Sequence, residues 1–121
     1  MIKGVGTDII EIERIKKALE KRESFIERLF TKKEEILFRS RNYRVESIAG
    51  NFAAKEAVSK ALGTGMIFSW KDIEILRNED GKPYVVLSGM AKKIYNEMDC
   101  KNIQISISHN KEHAIANCMI E

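Results

Sequence analysis

The sequence predicts a single α+β domain, residues 1–121, in which an antiparallel sheet packs on one long central helix. Three observations lead to this prediction. The length of 121 residues is that of one compact domain. Apolar residues alternate near both ends of the chain and recur at helical spacing between them. The predicted elements follow an order near βααββαββ, in which hairpins join most of the strands.

The composition sets the class of protein. With 44% hydrophobic and 32% charged residues, the chain is typical of a soluble globular protein. No apolar run approaches the roughly 20 residues that span a bilayer, and the N-terminal residues lead directly into a patterned strand, so we expect neither a membrane segment nor a signal peptide. A net charge of only +3 argues against bulk nucleic-acid binding. Two cysteines, Cys100 and Cys118, are too few for a disulfide scaffold, which predicts a reduced, cytoplasmic protein.

The first strand is predicted over Ile2 to Ile10, where the residue pattern alternates. Asp8 shares one face of this strand with Gly4 and Gly6. An ionised carboxylate is costly to bury unless it is paired, hydrogen-bonded or bound to a cation. Asp8 is therefore a candidate functional residue.

An amphipathic helix is predicted next, because Ile12, Ile15 and Leu19 recur at helical spacing. Short helical pieces then continue from Phe25 to Phe38. Between Glu11 and Lys33 the chain holds eight Lys or Arg residues against five Glu. This basic stripe is either a solvated helix face or a docking surface for an acidic partner, and the residues alone leave both interpretations open. Its members on one side of the helix are Arg14, Lys17, Lys21 and Arg28.

A long central helix is predicted from Ser47, as its N-cap, to Leu62. Gly63-Thr64-Gly65 follows as a C-terminal glycine signal. Because this helix is apolar nearly all round, we expect it in the middle of the fold. Glu56 and Lys60 lie one turn apart on a face of small residues.

The C-terminal half is predicted to contain two hairpins separated by a helix. Turn-rich residues join the strands of each hairpin, and the helix has apolar residues at helical spacing. The segments are Trp70 to Leu76, the turn Asn78 to Lys82, Pro83 to Leu87, the helix Met90 to Met98, the strand Ile103 to Ser108, the turn His109 to Glu112, and the strand Ala114 to Ile120.

Asp8 and Glu56 are candidate magnesium ligands. Mg²⁺ prefers oxygen ligands, and proteins often supply only one or two carboxylates and leave the other positions to water and substrate phosphates. Two alternatives require no metal: Asp8 as an acceptor of backbone hydrogen bonds at a turn, and Glu56 with Lys60 as an i,i+4 ion pair. The small residues around Glu56 also allow a bulky ligand to approach the helix.

The sequence contains no complete glycine-rich nucleotide motif. Gly4-Val5-Gly6 begins like a dinucleotide fingerprint, but Ile9 stands where a third glycine is needed, and no Walker loop is present. Any phosphate binding must therefore come from the metal, Lys60 and local backbone groups. His109 and Lys82 are each either an exposed turn residue or a contact to a phosphate.

These residues and motifs carry a resemblance to a known family. The chain resembles the holo-acyl-carrier-protein synthases, the small single-domain class of 4′-phosphopantetheinyl transferases, over its whole length and in the same order of motifs. The matching segments are Gly4 to Ile12, Ala49 to Gly65, Trp70 to Glu74, Gly81 to Pro83, and Ser106 to His109.

The resemblance implies transfer of the 4′-phosphopantetheine arm of coenzyme A to a serine of apo-acyl carrier protein, in support of fatty acid synthesis. Adenosine 3′,5′-bisphosphate is the other product that it implies. It assigns the Mg²⁺ to Asp8 and Glu56, and it makes these two residues with Lys60 the catalytic set. The residues that it implies for coenzyme A binding are Lys60, Gly63, Lys82 and His109.

The resemblance also implies a homotrimer whose sites lie in clefts between subunits, so that His109 reaches a coenzyme A held mainly by a neighbour. The acidic carrier protein is expected to dock on the first helix through Arg14, Lys21 and Arg28. Ser24 stands where many relatives have another basic side chain, which puts the strength of docking in question. Two alternative functions are a Mg²⁺-dependent nucleotide pyrophosphatase and a non-enzymatic module that binds an acidic protein.

Overall fold

The structure, a computed structural model, describes all 121 residues and confirms the predicted α+β class. The fold contains five strands and five helices, with four successive helices after the first strand, and the longest helix has 17 residues. In chain order the elements are β1 (Gly4–Glu11), α1 (Ile12–Lys21), α2 (Phe25–Leu29), α3 (Lys32–Ser40), α4 (Val45–Ala61), a 3₁₀ turn (Trp70–Asp72), β2 (Ile73–Arg77), β3 (Pro83–Leu87), α5 (Gly89–Glu97), β4 (Ile103–His109) and β5 (His113–Ile120).

Every strand pair is antiparallel. One sheet has three strands in the order β1-β5-β4, and β2 and β3 form a separate hairpin. The register of the larger sheet places Asp8 of β1 opposite Ala116 of β5, which in turn lies opposite Ile107 of β4. Asp8 is therefore on an edge strand, two strands away from the strand that ends at His109.

Helix α4 packs on the inner face of the larger sheet and is the centre of the fold, as predicted. Gly4 and Gly6 of β1 lie directly against the backbone of α4. A Cβ atom at Gly4 would lie 1.9 Å from the carbonyl oxygen of Ala61, and one at Gly6 would lie 1.9 Å from that of Ala57. The two glycines therefore allow β1 to approach α4 more closely than any side chain would, and this close contact brings Asp8 to the helix.

We expect Gly6→Ala to disrupt this contact. The new Cβ must push α4 away from β1, because the atom it meets belongs to the backbone, and overpacking of this kind costs about 3 kcal/mol or more of unfolding free energy. Urea denaturation would measure the loss. Gly50→Ala is the matched control, since its Cβ meets only the end of the Ile107 side chain at 3.0 Å. A Gly6→Ala variant as stable as the control would contradict the close-packing argument.

The short helical pieces expected from Phe25 to Phe38 are confirmed as α2 and α3, and α3 begins at a capping box made by Thr31 and Glu34. Four helices therefore precede β2, two more than in the approximate order βααββαββ. Two local expectations were wrong. Helix α4 begins at Val45, not after Ser47; its N-cap is Arg44, and the backbone N–H of Ser47 donates to the carbonyl of Arg44 within the first turn. The strand expected from Trp70 begins only at Ile73, because the preceding three residues form a 3₁₀ turn.

The glycine signal at the end of α4 is confirmed. Gly63 has φ of 84°, a left-handed conformation, and its N–H donates to the carbonyl of Lys60. Gly65 is also left-handed, with φ of 67°. None of the helices is both long enough and apolar enough to cross a membrane.

Candidate metal and phosphate site

Asp8 and Lys60 are in direct contact where β1 passes the last turn of α4. The Nζ of Lys60 lies 3.2 Å from Oδ1 of Asp8 and also donates to the carbonyl of Thr7 at 3.0 Å. The Asp8 side chain is 17% exposed and that of Lys60 is 50% exposed. Asp8 accepts no backbone hydrogen bond, and Lys60 pairs with Asp8 rather than with Glu56. Neither of the alternatives that require no metal therefore describes these residues.

Glu56 lies one turn before Lys60 on α4 and is half-buried. Burial raises the pKa of its carboxyl group, the negative charge of Asp8 raises it further, and the positive charge of Lys60 lowers it. The charges of Asp8 and Lys60 thus both act on Glu56. Its side chain accepts no hydrogen bond and forms no ion pair of its own, which leaves its oxygens open to a cation.

The donor set fits Mg²⁺. No group of three or more His, Cys, Asp or Glu side chains is close enough to hold a metal ion, so this is not a closed structural metal centre. Two carboxylates and one lysine give the site a net charge of −1. A divalent cation would bring it to +1, and a bound phosphate would balance that remaining charge. The oxygen-only ligands favour Mg²⁺ over softer metals.

The end of α4 continues this site towards Gly63. Gly63 is exposed, and no atom lies within 4 Å of the position that a Cβ would occupy. It lies three residues after Lys60, to whose carbonyl its N–H donates, and the left-handed turn leaves open space beside the backbone. This geometry is compatible with the predicted contact to a ligand.

A second polar cluster lies at the other end of α4. A cavity of about 160 Å³ opens beside the first turns of the helix, and His109 lines it. Arg41 and Arg77 also line it, and neither has a carboxylate partner. Burial lowers the pKa of Arg77 to about 10, and the charge of Arg41 lowers it further, while Glu34 opposes the shift. The one carboxylate in the lining, that of Glu46, is paired with Arg44. Two guanidinium groups beside a helix N-terminus therefore form a site that favours an anion.

The sequence did not predict this cavity, because Arg41, Arg77 and His109 come from three distant segments. Lys82 does not line it, although its neighbours Gly81 and Pro83 do. The side chain of Lys82 is exposed on the β2–β3 turn. The predicted coenzyme A residues thus fall into two groups, with Lys60 and Gly63 at one end of α4 and His109 and Lys82 at the other.

The three residues predicted to dock an acidic partner are exposed and unpaired. Arg14 and Lys21 lie seven residues apart on α1 and therefore on the same face, and Arg28 lies on α2. None of them forms a salt bridge within the chain. Beside them, the rings of Phe25, Phe52 and Trp70 stack in sequence, with centroids 6.4 and 4.9 Å apart.

Comparison with known proteins defines the class. Residues 4–118 match the model of the 4′-phosphopantetheinyl transferase superfamily. The structure is similar to the crystal structure of holo-[acyl-carrier-protein] synthase from Neisseria meningitidis, with a TM-score of 0.92 and 32% identity over 100% of this chain and 99% of that one. It is also similar to the Helicobacter pylori enzyme in complex with coenzyme A, with a TM-score of 0.86 and 34% identity over 97% and 99% of the two chains.

Sequence similarity narrows the class further. A holo-[acyl-carrier-protein] synthase of Clostridium botulinum (strain Alaska E43) is 57% identical over 122 residues, which cover 100% of this chain and 98% of the relative. The chain therefore belongs to the holo-[acyl-carrier-protein] synthase family, and the resemblance found in the sequence is confirmed.

Proposed function

We propose that this protein transfers the 4′-phosphopantetheine arm of coenzyme A to a serine of apo-acyl carrier protein in a Mg²⁺-dependent reaction. The products are holo-acyl carrier protein, used in fatty acid synthesis, and adenosine 3′,5′-bisphosphate. The observation that carries the proposal is the contact between Asp8 and Lys60 at the junction of β1 and α4, with Glu56 one turn before Lys60 on the same helix. Two comparisons support the proposal. The chain is similar over its full length to a holo-[acyl-carrier-protein] synthase, and a similar structure contains bound coenzyme A.

The chemistry agrees with this arrangement. Transfer of a phosphate-linked group requires positioning and charge neutralisation more than covalent help from the protein. Asp8 and Glu56 would hold the Mg²⁺, and the bound ion would neutralise part of the negative charge of the pyrophosphate. Lys60 lies at hydrogen-bonding distance from Asp8, and its half-exposed ammonium group binds the phosphate oxygens. The open backbone at Gly63 allows the pantetheine side of the ligand to pass close to the helix.

Mass spectrometry of an apo-carrier mixture tests the proposal directly. Incubation with coenzyme A and Mg²⁺ should add the mass of one phosphopantetheine group to a carrier protein. Incubation without any carrier should release no adenosine 3′,5′-bisphosphate, whereas a pyrophosphatase would release product. If coenzyme A in Mg²⁺ gave neither transfer nor a rise in Tm, a non-enzymatic module that binds an acidic protein would be favoured.

Two features support assembly as a homotrimer with shared sites. The outer face of the three-stranded sheet is exposed, and Val5 and Ile9 on it are 64% and 61% exposed; large apolar side chains grouped on one open face are typical of an interface. The two groups of coenzyme A residues are separated along α4 by about 20 Å, from the rise of 1.5 Å per residue. A neighbouring copy that supplies the His109 end would complete the site.

The two cysteines support a reduced, cytoplasmic setting. Cys100 and Cys118 are both free and buried, and burial raises the pKa of Cys118 to about 12. A thiol in this state has little thiolate at neutral pH and is protected from oxidation. The fold therefore does not depend on a disulfide, and it needs no oxidising compartment to keep one formed.

Charge reversal on the basic stripe should weaken carrier docking. We expect Arg14→Glu/Lys21→Glu to raise the KM for apo-carrier about tenfold or more at low salt, because opposite charges mainly accelerate association. The KM for coenzyme A should not change. Steady-state kinetics at two salt concentrations would measure both constants. Lys93→Glu, an exposed substitution on α5, is the matched control, and an unchanged carrier KM in the double variant would refute the docking surface.

Loss of a guanidinium group from the cavity should weaken binding of coenzyme A. Arg77→Leu removes a charged hydrogen-bond donor, which is worth about 1.5–3 kcal/mol, or roughly a 10- to 100-fold change in affinity. We propose that the anion bound in the cavity is the 3′-phosphate of coenzyme A. The KM for coenzyme A should therefore rise by this factor, while the KM for dephospho-coenzyme A, which lacks that phosphate, should change little. Equal effects on the two substrates would show that the cavity does not bind this phosphate.

A further inference from the structure

Glu34 and Lys55 form an ion pair inside the protein, and both side chains are 0% exposed. The Nζ of Lys55 lies 2.7 Å from Oε1 of Glu34 and donates to the carbonyl of Trp70 at 2.9 Å and to that of Ile73. Each of the three ammonium N–H bonds therefore has an acceptor. Neither side chain hydrogen-bonds to Asp8, Glu56 or Lys60 of the candidate site.

The carboxylate of Glu34 accepts three more hydrogen bonds. The donors are the backbone N–H of Thr31 at 3.1 Å, the Nδ2 of Asn51 at 3.3 Å and the backbone N–H of Ile75 at 3.3 Å. Asn51 also donates to the carbonyl of Ile75 at 2.9 Å. This group, which we call the buried clamp (Glu34, Asn51 and Lys55), joins α3, α4, the 3₁₀ turn and β2.

Stability alone does not explain the buried clamp. Burial raises the pKa of Glu34 and lowers the pKa of Lys55, and their mutual attraction only opposes these shifts. Replacing a buried ion pair by uncharged side chains of similar volume often leaves stability unchanged or increases it. The charged atoms of Glu34 and Lys55 are all hydrogen-bonded, and in the clamp only Oδ1 of Asn51 has no partner. Such a pair in a low-dielectric interior imposes one arrangement, since any other leaves charges unpaired.

The opposite side of α4 has no buried polar contact of this kind. There the helix meets β1 through Ala57 and Ala61 against Gly4 and Gly6, and its side-chain hydrogen bonds to β1 are those of the half-exposed Lys60 to Thr7 and Asp8 within the candidate site itself. Contacts between small residues define the rotation of a helix about its axis less sharply than a buried ion pair does. Side-chain ends lie about 5–6 Å from a helix axis, so a rotation of roughly 20° would move the carboxylate of Glu56 by about 2 Å. A shift of this size would separate Glu56 and Lys60 from Asp8.

We infer that Glu34 and Lys55 are positioning residues, whose buried hydrogen bonds set the rotation of α4 and thereby hold Glu56 and Lys60 against Asp8. The inference rests on the proposed function for the meaning of that site. Lys55 adjoins Glu56 in the chain, so an error in the placement of one is transmitted directly to the other. The clamp thus acts on the chemistry without touching a substrate.

The test removes both charges together. Glu34→Gln/Lys55→Met keeps an acceptor for the N–H of Ile75 and leaves no unpaired charge, so we expect Tm to stay within about 10 °C of the wild type. We expect kcat to fall about 100-fold, the typical effect of misplacing a catalytic group by an ångström or more. The KM for apo-carrier should stay within twofold, because α1 is not part of the clamp. Electron paramagnetic resonance with Mn²⁺ alone should show about tenfold weaker binding, since both ligands must be aligned.

A second variant tests whether restored hydrogen bonds rescue activity, and it replaces the first variant if that one is too unstable to assay. Glu34→Gln/Lys55→Gln supplies an amide that can donate to the carbonyls of Trp70 and Ile73, so kcat and Mn²⁺ affinity should partly recover. Glu35→Gln/Arg39→Met is the matched control, because it removes an exposed ion pair of 3.4 Å on α3 and should change neither quantity. Wild-type kcat and Mn²⁺ affinity in both clamp variants would overturn the inference.

Failure of the proposed function gives a different result. If the wild-type protein transferred nothing to any apo-carrier, the proposed function would fail, but Mn²⁺ binding could still be compared between the wild type and the clamp variants. A loss of Mn²⁺ affinity in the clamp variants would then still support the positioning role, and an unchanged affinity would still exclude it.

Discussion

Glu56→Gln is expected to fold normally and to lose transfer activity by about a thousandfold, or roughly 4 kcal/mol of transition-state stabilisation. Glutamine keeps the shape of the side chain but removes the charge that would help to hold the cation. The half-buried carboxylate of Glu56 is destabilised by burial and by Asp8, so the substitution removes a repulsion and should not lower Tm. Activity is measured as phosphopantetheine added to apo-carrier, with Tm as the measure of folding.

Two controls test whether Glu56 acts through the metal. Glu97→Gln changes an exposed carboxylate on α5 and should leave transfer unchanged. The activity of Glu56→Gln should also require a higher Mg²⁺ concentration than that of the wild type, because one charged ligand is missing. Near-wild-type turnover at the wild-type Mg²⁺ requirement would exclude Glu56 as a ligand.

Much of this site could be predicted because it depends on short-range periodicity. The alternation in β1 placed Asp8 on the face of Gly4 and Gly6, and the structure shows that this face meets α4. The spacing of Glu56 and Lys60 placed them one turn apart on the helix. Predicting the contact between β1 and α4 would have required one more inference, namely that the glycine face of the strand packs against the alanine face of the helix.

The remaining parts depend on contacts between distant segments and could not be predicted in this way. Lys55 lies in a helix whose sequence is mostly apolar, and its partner Glu34 is 21 residues away in the chain. Arg41 and Arg77 meet only because the β2–β3 hairpin folds over the start of α4. Ser47 has the residue type of an N-cap, but tertiary packing extends the helix by two residues beyond it. Local sequence preferences determine most of the helices and strands, whereas long-range packing determines which polar residues face one another.

Mixing two impaired variants, assayed at a coenzyme A concentration far below the raised KM of the anion-end variant, is expected to restore activity if the sites are shared between subunits. Glu56→Gln removes the metal end of the site, and Arg77→Leu/His109→Ala removes the anion end. In a mixed homotrimer, a cleft that takes its metal end from the second variant and its anion end from the first is fully wild type. Random assembly of equal amounts gives about a quarter of all clefts in this state, so about a quarter of wild-type activity should return.

The experiment requires that subunits exchange, which co-expression of the two chains with different tags ensures. Purification through both tags isolates the mixed trimers, in which one cleft of the three is wild type, so about a third of wild-type activity should be found there; size-exclusion chromatography measures their mass. A Val5→Asp substitution, placed on the exposed outer face of the sheet, should dissociate the assembly and abolish the restored activity without unfolding the chain, because a charge at an exposed position costs little in the monomer but is costly to bury in an interface. If mixed species formed but remained inactive, each site would have to be complete within one chain. The separation of Lys60 from the His109 cavity along α4 would then mean that coenzyme A binds in an extended form across a single subunit.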